Sequence, residues 1–238
     1  MSLFRPADPS PVVVDRREGP FGEVVLRRRG DRYEIIANGC FLMDTSDGRS
    51  ERLLVTAALD ALPAVDRPRL LIGGLGVGFS LAEAAAEARW ARITVVEREA
   101  AVIDWHRDGT LKPFSQGALD DPRVEVVHAD LLDHLASGTE PYDALCLDVD
   151  NGPDWTVTDG NADLYRPRGL ELLRSRLSPG GVLAVWSARQ SRAFEERLRK
   201  HFPEVRTLRV PVPRGEPDIV HLARTAPKRT MGRAAPVR

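Results

Sequence analysis

The chain of 238 residues is poor in cysteine and nearly free of net charge, and each shortage excludes a class of protein. Its two cysteines, Cys40 and Cys146, stand inside apolar runs and lack the close spacing of metal ligands. We therefore expect buried, reduced thiols rather than a disulfide or a metal site. The 34 basic residues balance the 35 acidic ones, so no overall field favours nucleic acid or an anionic membrane.

Long apolar runs are also missing. No stretch approaches the length needed to cross a bilayer, and the first residues lack the apolar segment of a signal peptide. The sequence therefore predicts a cytoplasmic protein with no metal, no nucleic-acid partner and no membrane partner.

The first fifty residues predict two small regions. Residues 1–20 are rich in proline and charge and predict a mostly irregular arm. Three short β-type runs follow within residues 21–49, and the turn between the last two is Asn38-Gly39, a strong hairpin signal. They predict an antiparallel β-meander, which is too small to be stable alone and must pack on the main domain or on another subunit.

Residues 50–225 predict the main domain, in which helical and strand patterns alternate. It begins with a helix over residues 50–59 that Ser50 is predicted to cap. The alternation, in which one helix is predicted from about residue 162 to residue 177, predicts a parallel sheet with helices on both faces. The last two strands, 205–210 and 219–223, have no helix between them and predict an antiparallel edge hairpin. The fold class is therefore α/β, with a Rossmann-like sheet of the class I S-adenosylmethionine-dependent methyltransferase type. Residues 226–238 predict a disordered basic tail.

A glycine-rich turn after the first strand of this domain predicts a nucleotide cradle. Gly73 ends the strand, and the alternate glycines Gly74, Gly76 and Gly78 permit positive φ and the close approach of a ligand. The following helix directs its free N–H groups to the same place. The spacing is G-x-G-x-G rather than the dinucleotide pattern G-x-G-x-x-G, which disfavours NAD(P) and favours a ligand of the S-adenosylmethionine type. Glu97 ends the next strand, where a carboxylate can accept both ribose hydroxyls, although an ordinary turn and a solvated Glu97 are the alternative.

Further acids follow the later strands, at the sheet edge where ligands bind in open parallel sheets. Asp130, just before Leu131, is placed either to accept a hydrogen bond from an adenine amine or to cap the next helix, and one carboxylate can do both. Asp148 would adjoin the transferable group of a nucleoside. The long acidic loop 148–161 contains Asp150 and Trp155, a combination that suits a cationic amine by charge and cation–π contact. A solvated acidic loop is the alternative.

Taken together, these residues resemble the spermidine/spermine synthase family of polyamine aminopropyltransferases over about residues 20–223. The resemblance is carried by several short segments: Asn38-Gly39, Ile72-Gly73-Gly74, Val95-Val96-Glu97, Ala129-Asp130, Tyr142-Asp143, Leu164-Tyr165 and Leu177-Ser178-Pro179-Gly180-Gly181.

The resemblance implies a role for each candidate residue. The co-substrate would be decarboxylated S-adenosylmethionine, held by the glycine turn, with Glu97 at the ribose and Asp130 and Leu131 at the adenine. Asp148 would act as general base on the attacking amine, with Asp150 beside it. Substrate contacts would come from the loop and its flank, at Asp150, Asn151, Trp155 and Tyr165. The family habit of dimerising through the meander implies a homodimer.

The chain also departs from the family pattern. Gly76 stands where the family's glycine turn carries an aspartate, and Leu42 replaces the glutamine that follows Asn-Gly. Glu51-Arg52-Leu53 occupies about the place of Tyr-His-Glu, and Asn151 that of a second aspartate. We still expect the family's fold and nucleoside binding despite these changes. A polyamine substrate is no longer implied, because several residues that would hold it are replaced.

Three hypotheses about the function remain open from the sequence. The first is an aminopropyltransferase-like enzyme with an altered amine acceptor. The second is a methyltransferase that binds intact S-adenosylmethionine, which the loss of the turn aspartate would permit by removing a negative charge. The third is a non-catalytic nucleoside-binding protein.

Overall fold

The computed structural model describes residues 9–157, 160–213 and 215–228. A four-stranded antiparallel sheet comes first, in the order β1-β2-β3-β4. Its strands are β1 (Val12–Gly19), β2 (Gly22–Arg29), β3 (Arg32–Ala37) and β4 (Cys40–Asp44). The predicted meander is therefore confirmed.

The prediction of an irregular arm is wrong for residues 12–19. These residues pair with β2 along its length, and the hairpin closes between Gly19 and Gly22. The side chains of β1 are almost all exposed, so the strand has no alternation of buried and exposed positions that a sequence pattern could reveal. Residues 1–8 of the arm and residues 229–238 of the predicted tail lie outside the described residues.

The main sheet has seven strands in the order β10-β11-β9-β8-β5-β6-β7. Their bounds are β5 (Arg69–Gly73), β6 (Arg92–Glu97), β7 (Val124–His128), β8 (Tyr142–Leu147), β9 (Leu177–Ser187), β10 (Glu204–Val210) and β11 (Asp218–Arg224). The five strands from β5 to β9 are parallel, and β11 pairs antiparallel with both β9 and β10. The predicted mostly parallel sheet with an antiparallel C-terminal hairpin is confirmed.

Helices cover both faces of this sheet because successive residues of a strand point to opposite sides. Leu70 and Ile72 of β5 belong to one buried cluster and Leu71 to the other. The first cluster includes residues of α1 (Arg49–Ala61), α2 (Phe79–Ala86), α3 (Ala100–Arg107) and the N-terminal sheet. The second includes residues of α5 (Leu131–Ser137), α6 (Pro167–Ser175) and α7 (Arg192–His201). The short helix α4 (Lys112–Ser115) and a 3-10 turn (Ala118–Asp120) were not predicted.

Two predicted boundaries need correction. Gly48, not Ser50, precedes the first turn of α1, and no side chain caps the helix. The predicted helix from 162 to 177 is instead a 3-10 turn (Asn161–Tyr165) followed by α6, which begins at Pro167. Proline is favoured at a helix start because it lacks the N–H that would have no partner there. In the part of the chain that the structure describes, no helix has the length and apolar character to span a membrane.

Candidate active site

A cavity of about 680 Å³ opens at the carboxyl ends of the parallel strands. One wall is formed by the N-terminal sheet, chiefly β4, and another by the segment that leads into β11. Nine of the predicted site residues line it: Gly74, Gly76, Glu97, Asp130, Leu131, Asp148, Asp150, Asn151 and Trp155. The topology thus brings together residues that are far apart in sequence, as expected for the ligand-binding edge of an open sheet.

The glycine turn has the predicted positive φ angles, but for a different reason. A Cβ at Gly74 (φ +92°) would lie 2.3 Å from the carbonyl oxygen of Asp148. A Cβ at Gly76 (φ +48°) would lie 2.4 Å from Met43 Sδ, and one at Gly78 (φ +95°) would lie 2.7 Å from Ser115 Cβ. These glycines therefore let the turn pack against the protein itself rather than only against a ligand.

Two predicted glycines do not line the cavity. A Cβ at Gly73 would meet Leu131 Cδ2 at 2.6 Å, and Gly78 precedes α2 as its N-cap. Both shape the turn without reaching the cavity surface.

His106 supports the turn from behind, and no pattern in the sequence pointed to this role. Its side chain is buried, and Nε2 donates to the carbonyl oxygen of Gly76 at 3.0 Å, because a carbonyl can only accept. Nδ1 lies 3.0 Å from the hydroxyl oxygen of Ser115. Burial lowers the pKa of His106, so the ring is neutral and Nδ1 accepts from that hydroxyl.

Glu97 is held in one orientation by two backbone hydrogen bonds. One carboxylate oxygen, Oε2, accepts from the backbone N–H of Leu75 at 2.8 Å, and Oε1 accepts from that of Glu99 at 2.8 Å. The side chain is buried yet lines the cavity. Each oxygen keeps lone-pair capacity for a second donor.

Asp130 caps α5, as one of its two predicted roles requires. Its Oδ1 accepts from the backbone N–H groups of Leu132 at 2.8 Å and Asp133 at 3.2 Å. The same residue lines the cavity, so capping leaves the other carboxylate oxygen for the predicted adenine contact.

Asp148 directly follows β8 and lines the cavity. Its Oδ2 accepts from the Ser80 hydroxyl at 3.1 Å. Burial raises the pKa of Asp148 to about 6; the hydrogen bond from Ser80 opposes this rise and the charge of Asp218 adds to it. A carboxylate with a pKa near neutrality is suited to accept a proton from a bound group.

Two further acids, Glu51 of α1 and Asp218 of β11, lie in the same cavity. The Ser50 hydroxyl oxygen lies 2.9 Å from Glu51 Oε2 and 2.8 Å from Asp218 Oδ2. Burial, together with the charge of Asp148, raises the pKa of Glu51 to about 8, and burial also raises the pKa of Asp218. Sequence reasoning did not select these three residues as a site, because Ser50 and Asp218 are 168 positions apart.

The loop after β8 contributes a mixed set of side chains. Asp150 has a positive φ of 54°, and its Oδ2 accepts from the Asn161 amide at 2.6 Å. Burial raises the pKa of Asp150. Trp155 is 51% exposed at the cavity rim. Tyr165 is buried, and its hydroxyl donates to the Val149 carbonyl at 3.2 Å, so it supports the loop from behind and does not line the cavity.

The cavity surface is strongly acidic. Of the described residues that line it, one is cationic, Arg98, which lies 3.4 Å from Glu99 and over the ring of Phe21. The acidic lining residues are Asp44, Asp47, Glu51, Glu97, Glu99, Asp130, Asp148, Asp150, Glu216 and Asp218. Within the described ranges, no group of three or more such side chains is arranged to hold a metal ion. The excess of acidic side chains in the described lining favours a positively charged ligand.

The sheet topology is that of the predicted α/β fold, a Rossmann-like sheet of the class I methyltransferase type with an antiparallel C-terminal hairpin. Polyamine aminopropyltransferase 2 of Pseudomonas aeruginosa is 35% identical over 166 residues, which is 64% of this chain and 45% of that protein. The polyamine aminopropyltransferase of Mycobacterium tuberculosis strain H37Rv is 32% identical over 184 residues, which is 75% of this chain and 33% of that protein. The matches thus span less than half of these relatives. No family model matches the chain.

Solved structures of spermidine synthases have the same fold. One, in complex with the transition-state analogue AdoDATO, superposes with a TM-score of 0.77 over 90% of this chain and 74% of that one, at 19% identity. The spermidine synthase of Thermotoga maritima gives a TM-score of 0.71 over 90% of this chain and 73% of that one, also at 19% identity. The chain is a divergent relative of the polyamine aminopropyltransferases with the spermidine synthase fold, as its residues predicted.

Proposed function

We propose that this chain is a transferase that binds decarboxylated S-adenosylmethionine and transfers its aminopropyl group to an amine. Its relatives carry the name polyamine aminopropyltransferase, and a structural neighbour binds a transition-state analogue of the spermidine synthase reaction. These names support transfer of an aminopropyl group as the class of reaction. The choice of co-substrate depends on the cavity itself.

The acidity of the cavity is the observation that carries the proposal. Decarboxylated S-adenosylmethionine presents a sulfonium and an ammonium and has no carboxylate. Intact S-adenosylmethionine would bring its carboxylate among ten acidic side chains and one cation, Arg98, in the described lining. Bringing like charges together in a partly buried site is unfavourable. The electrostatics therefore favour aminopropyl transfer over methyl transfer.

The nucleoside would lie along the glycine turn. We assign the ribose hydroxyls to Glu97, whose orientation is fixed by the backbone N–H groups of Leu75 and Glu99. We assign the adenine to Asp130 and Leu131 at the start of α5. This arrangement directs the sulfonium end toward Asp148.

Asp148 would serve as the general base. An ammonium has no lone pair, so the acceptor must lose a proton to the carboxylate before its nitrogen can attack. The nitrogen then bonds to the methylene carbon next to the sulfonium, the carbon–sulfur bond breaks, and its electron pair neutralises the sulfur, which leaves methylthioadenosine. Asp150, Asn151 and Trp155 would hold the acceptor beside Asp148, where orientation lowers the barrier.

The test is product analysis with the wild type and Asp148→Asn. The wild type should form methylthioadenosine from decarboxylated S-adenosylmethionine and an alkylamine, and the variant should be slower by about 10²–10⁴-fold because it lacks the base. Asp66→Asn, at an exposed position outside the cavity, is the matched control and should retain full activity. Formation of S-adenosylhomocysteine from the intact cofactor would instead indicate a methyltransferase, and turnover of neither would indicate a non-catalytic binding protein. A homodimer formed through the N-terminal sheet stays a prediction.

A further inference from the structure

Asp148 is joined to the glycine turn by its backbone as well as by its side chain. Its N–H donates to the Gly73 carbonyl at 2.9 Å, and its own carbonyl oxygen packs on Gly74, where a Cβ would lie 2.3 Å away. The turn leads directly into α2, and the second residue of that helix is Ser80, whose hydroxyl donates to Asp148 Oδ2 at 3.1 Å. The strand, the turn and the helix therefore hold the proposed base at three points.

The Ser80 hydroxyl has two acceptors and one hydrogen. The side chain is buried, and its oxygen lies 3.1 Å from Asp148 Oδ2 and 3.2 Å from the Glu51 carbonyl oxygen of α1. Hydrogen bonds to an ionised acceptor are the stronger ones, so the hydrogen goes to Asp148 while that residue is a carboxylate. Once Asp148 holds a proton, the Glu51 carbonyl can accept the hydrogen. The hydroxyl thus keeps a partner in both protonation states of the base.

We propose that Ser80 is a positioning residue, whose hydroxyl fixes the Asp148 carboxylate in the orientation that proton transfer requires. This role deepens the proposed function and rests on it, because Asp148 acts as the base there. With Oδ2 held by Ser80, Oδ1 is the oxygen that takes the proton from the amine. Ser80 is 3% exposed and does not line the cavity, so it acts on the reaction only through Asp148.

Ionisable groups on several elements interact with Asp148: Glu51 of α1, Cys146 of β8, Tyr165 and Asp218 of β11. The two carboxyl groups oppose a negative charge on Asp148, and burial raises the pKa of the thiol and of the phenol, which stay neutral. The Ser80 hydroxyl acts in the other direction, because its hydrogen bond lowers the pKa of Asp148. Loss of the hydroxyl should therefore raise this pKa above its wild-type value of about 6.

The ionisation of Asp148 tests the hydrogen bond without turnover. In protein labelled with carbon-13 at the aspartate carboxyl groups, an NMR titration follows each carboxyl, and Asp148→Asn identifies the Asp148 signal. Ser80→Ala should move the midpoint of that signal upward by about 0.5–1 pH unit. Ser175→Ala on α6 is the matched control and should leave the midpoint unchanged. This serine is exposed, gives its hydroxyl to the Leu172 carbonyl and does not line the cavity.

Kinetics test whether the orientation matters to the reaction. Ser80→Ala should lower kcat about 10–100-fold and leave the KM for the nucleoside within about threefold, because Ser80 does not line the cavity. In the Asp148→Asn background, Ser80→Ala should cause no further loss, since the carboxylate through which it acts is already gone. Ser175→Ala should match the wild type. Methylthioadenosine affinity within about threefold in every variant confirms an intact fold.

The proposal is overturned if Ser80→Ala leaves either the Asp148 midpoint or kcat unchanged, or if its loss of rate adds in full to that of Asp148→Asn. Failure of the proposed function has a different signature, because the wild type would then turn over no amine. In that case the titration alone decides whether Ser80 controls this carboxyl. A midpoint that rises in Ser80→Ala would support the contact, and an unmoved midpoint would overturn it.

Discussion

Glu51 and Asp148 are carboxyl groups that the fold removes from water. Burial raises the pKa of Glu51 to about 8 and that of Asp148 to about 6, whereas in the unfolded chain both ionise near pH 4. The folded state therefore binds protons more tightly than the unfolded state between about pH 4 and pH 8. Across this window, the free energy of unfolding falls as the pH rises.

Glu51→Gln should stabilise the ligand-free protein. Glutamine has nearly the shape of a protonated glutamate and never ionises, so at pH 8 the free energy of unfolding should rise by about 1–3 kcal/mol. The gain should shrink toward zero near pH 4, where glutamate is protonated in both states. Urea unfolding at the two pH values measures the effect.

Glu171→Gln is the control, since this residue of α6 is exposed and its replacement should change the free energy of unfolding by less than about 0.5 kcal/mol. An unchanged or lower stability of Glu51→Gln at pH 8 would contradict the assignment of Glu51 as a buried acid with a raised pKa. A protein that keeps such a residue at a cost in stability is expected to use it.

The glycine turn acts as a unit because it must fit against three other parts of the chain. Gly74 packs on the backbone of Asp148, Gly76 on Met43 and Gly78 on Ser115. The sequence predicted the turn and its positive φ angles from local pattern alone. It could not show these neighbours, which lie more than 30 positions away and meet the turn only in the folded sheet.

Gly74→Ala should therefore lower the free energy of unfolding more than a glycine substitution elsewhere does. Gly109 has a similar φ of +99° and no atom within 4 Å of its missing Cβ, whereas a Cβ at Gly74 (φ +92°) would overlap the Asp148 carbonyl. Gly109→Ala should destabilise by about 1 kcal/mol, the cost of the backbone conformation. Gly74→Ala should lower the free energy of unfolding by at least about 2 kcal/mol more than this, because its Cβ overpacks the turn. Chemical denaturation compares the two.

The same two variants should also differ in their turnover rates. Gly74→Ala displaces Asp148, and a misplacement of about 1 Å is worth about 10²-fold in rate, whereas Gly109→Ala should leave turnover within about threefold of wild type. Equal losses of stability and activity in the two variants would show that φ alone matters and that the turn does not position Asp148.

Other elements show where local pattern is insufficient. Ser50 has the residue type of a helix cap, but Asp218 from the opposite end of the chain holds its hydroxyl instead. β1 lies at the edge of its sheet with almost all of its side chains exposed, so its sequence resembles an irregular segment. In both cases a tertiary contact decides the structure.

At the scale of the whole molecule, the charges cancel in number but not in position. The formal net charge is −1, yet the described part of the cavity wall carries ten acids and a single cation. The mostly parallel sheet and the strand-end positions of Glu97, Asp130 and Asp148 were predictable, because alternating strand and helix patterns predict a parallel sheet and its ligand-binding edge. Local pattern could not predict the acids that α1, β4 and the segment before β11 contribute. These acids reach the cavity only because the N-terminal sheet and the C-terminal hairpin pack against it.

This acidic wall is the basis for choosing a decarboxylated nucleoside, and one measurement tests that choice directly. Calorimetric titration of the protein with decarboxylated S-adenosylmethionine and, separately, with S-adenosylmethionine compares two ligands that differ by one carboxylate. We expect the decarboxylated form to bind at least about tenfold more tightly, a difference of about 1.4 kcal/mol. Equal or tighter binding of the intact cofactor would contradict the account and move the assignment to methyl transfer.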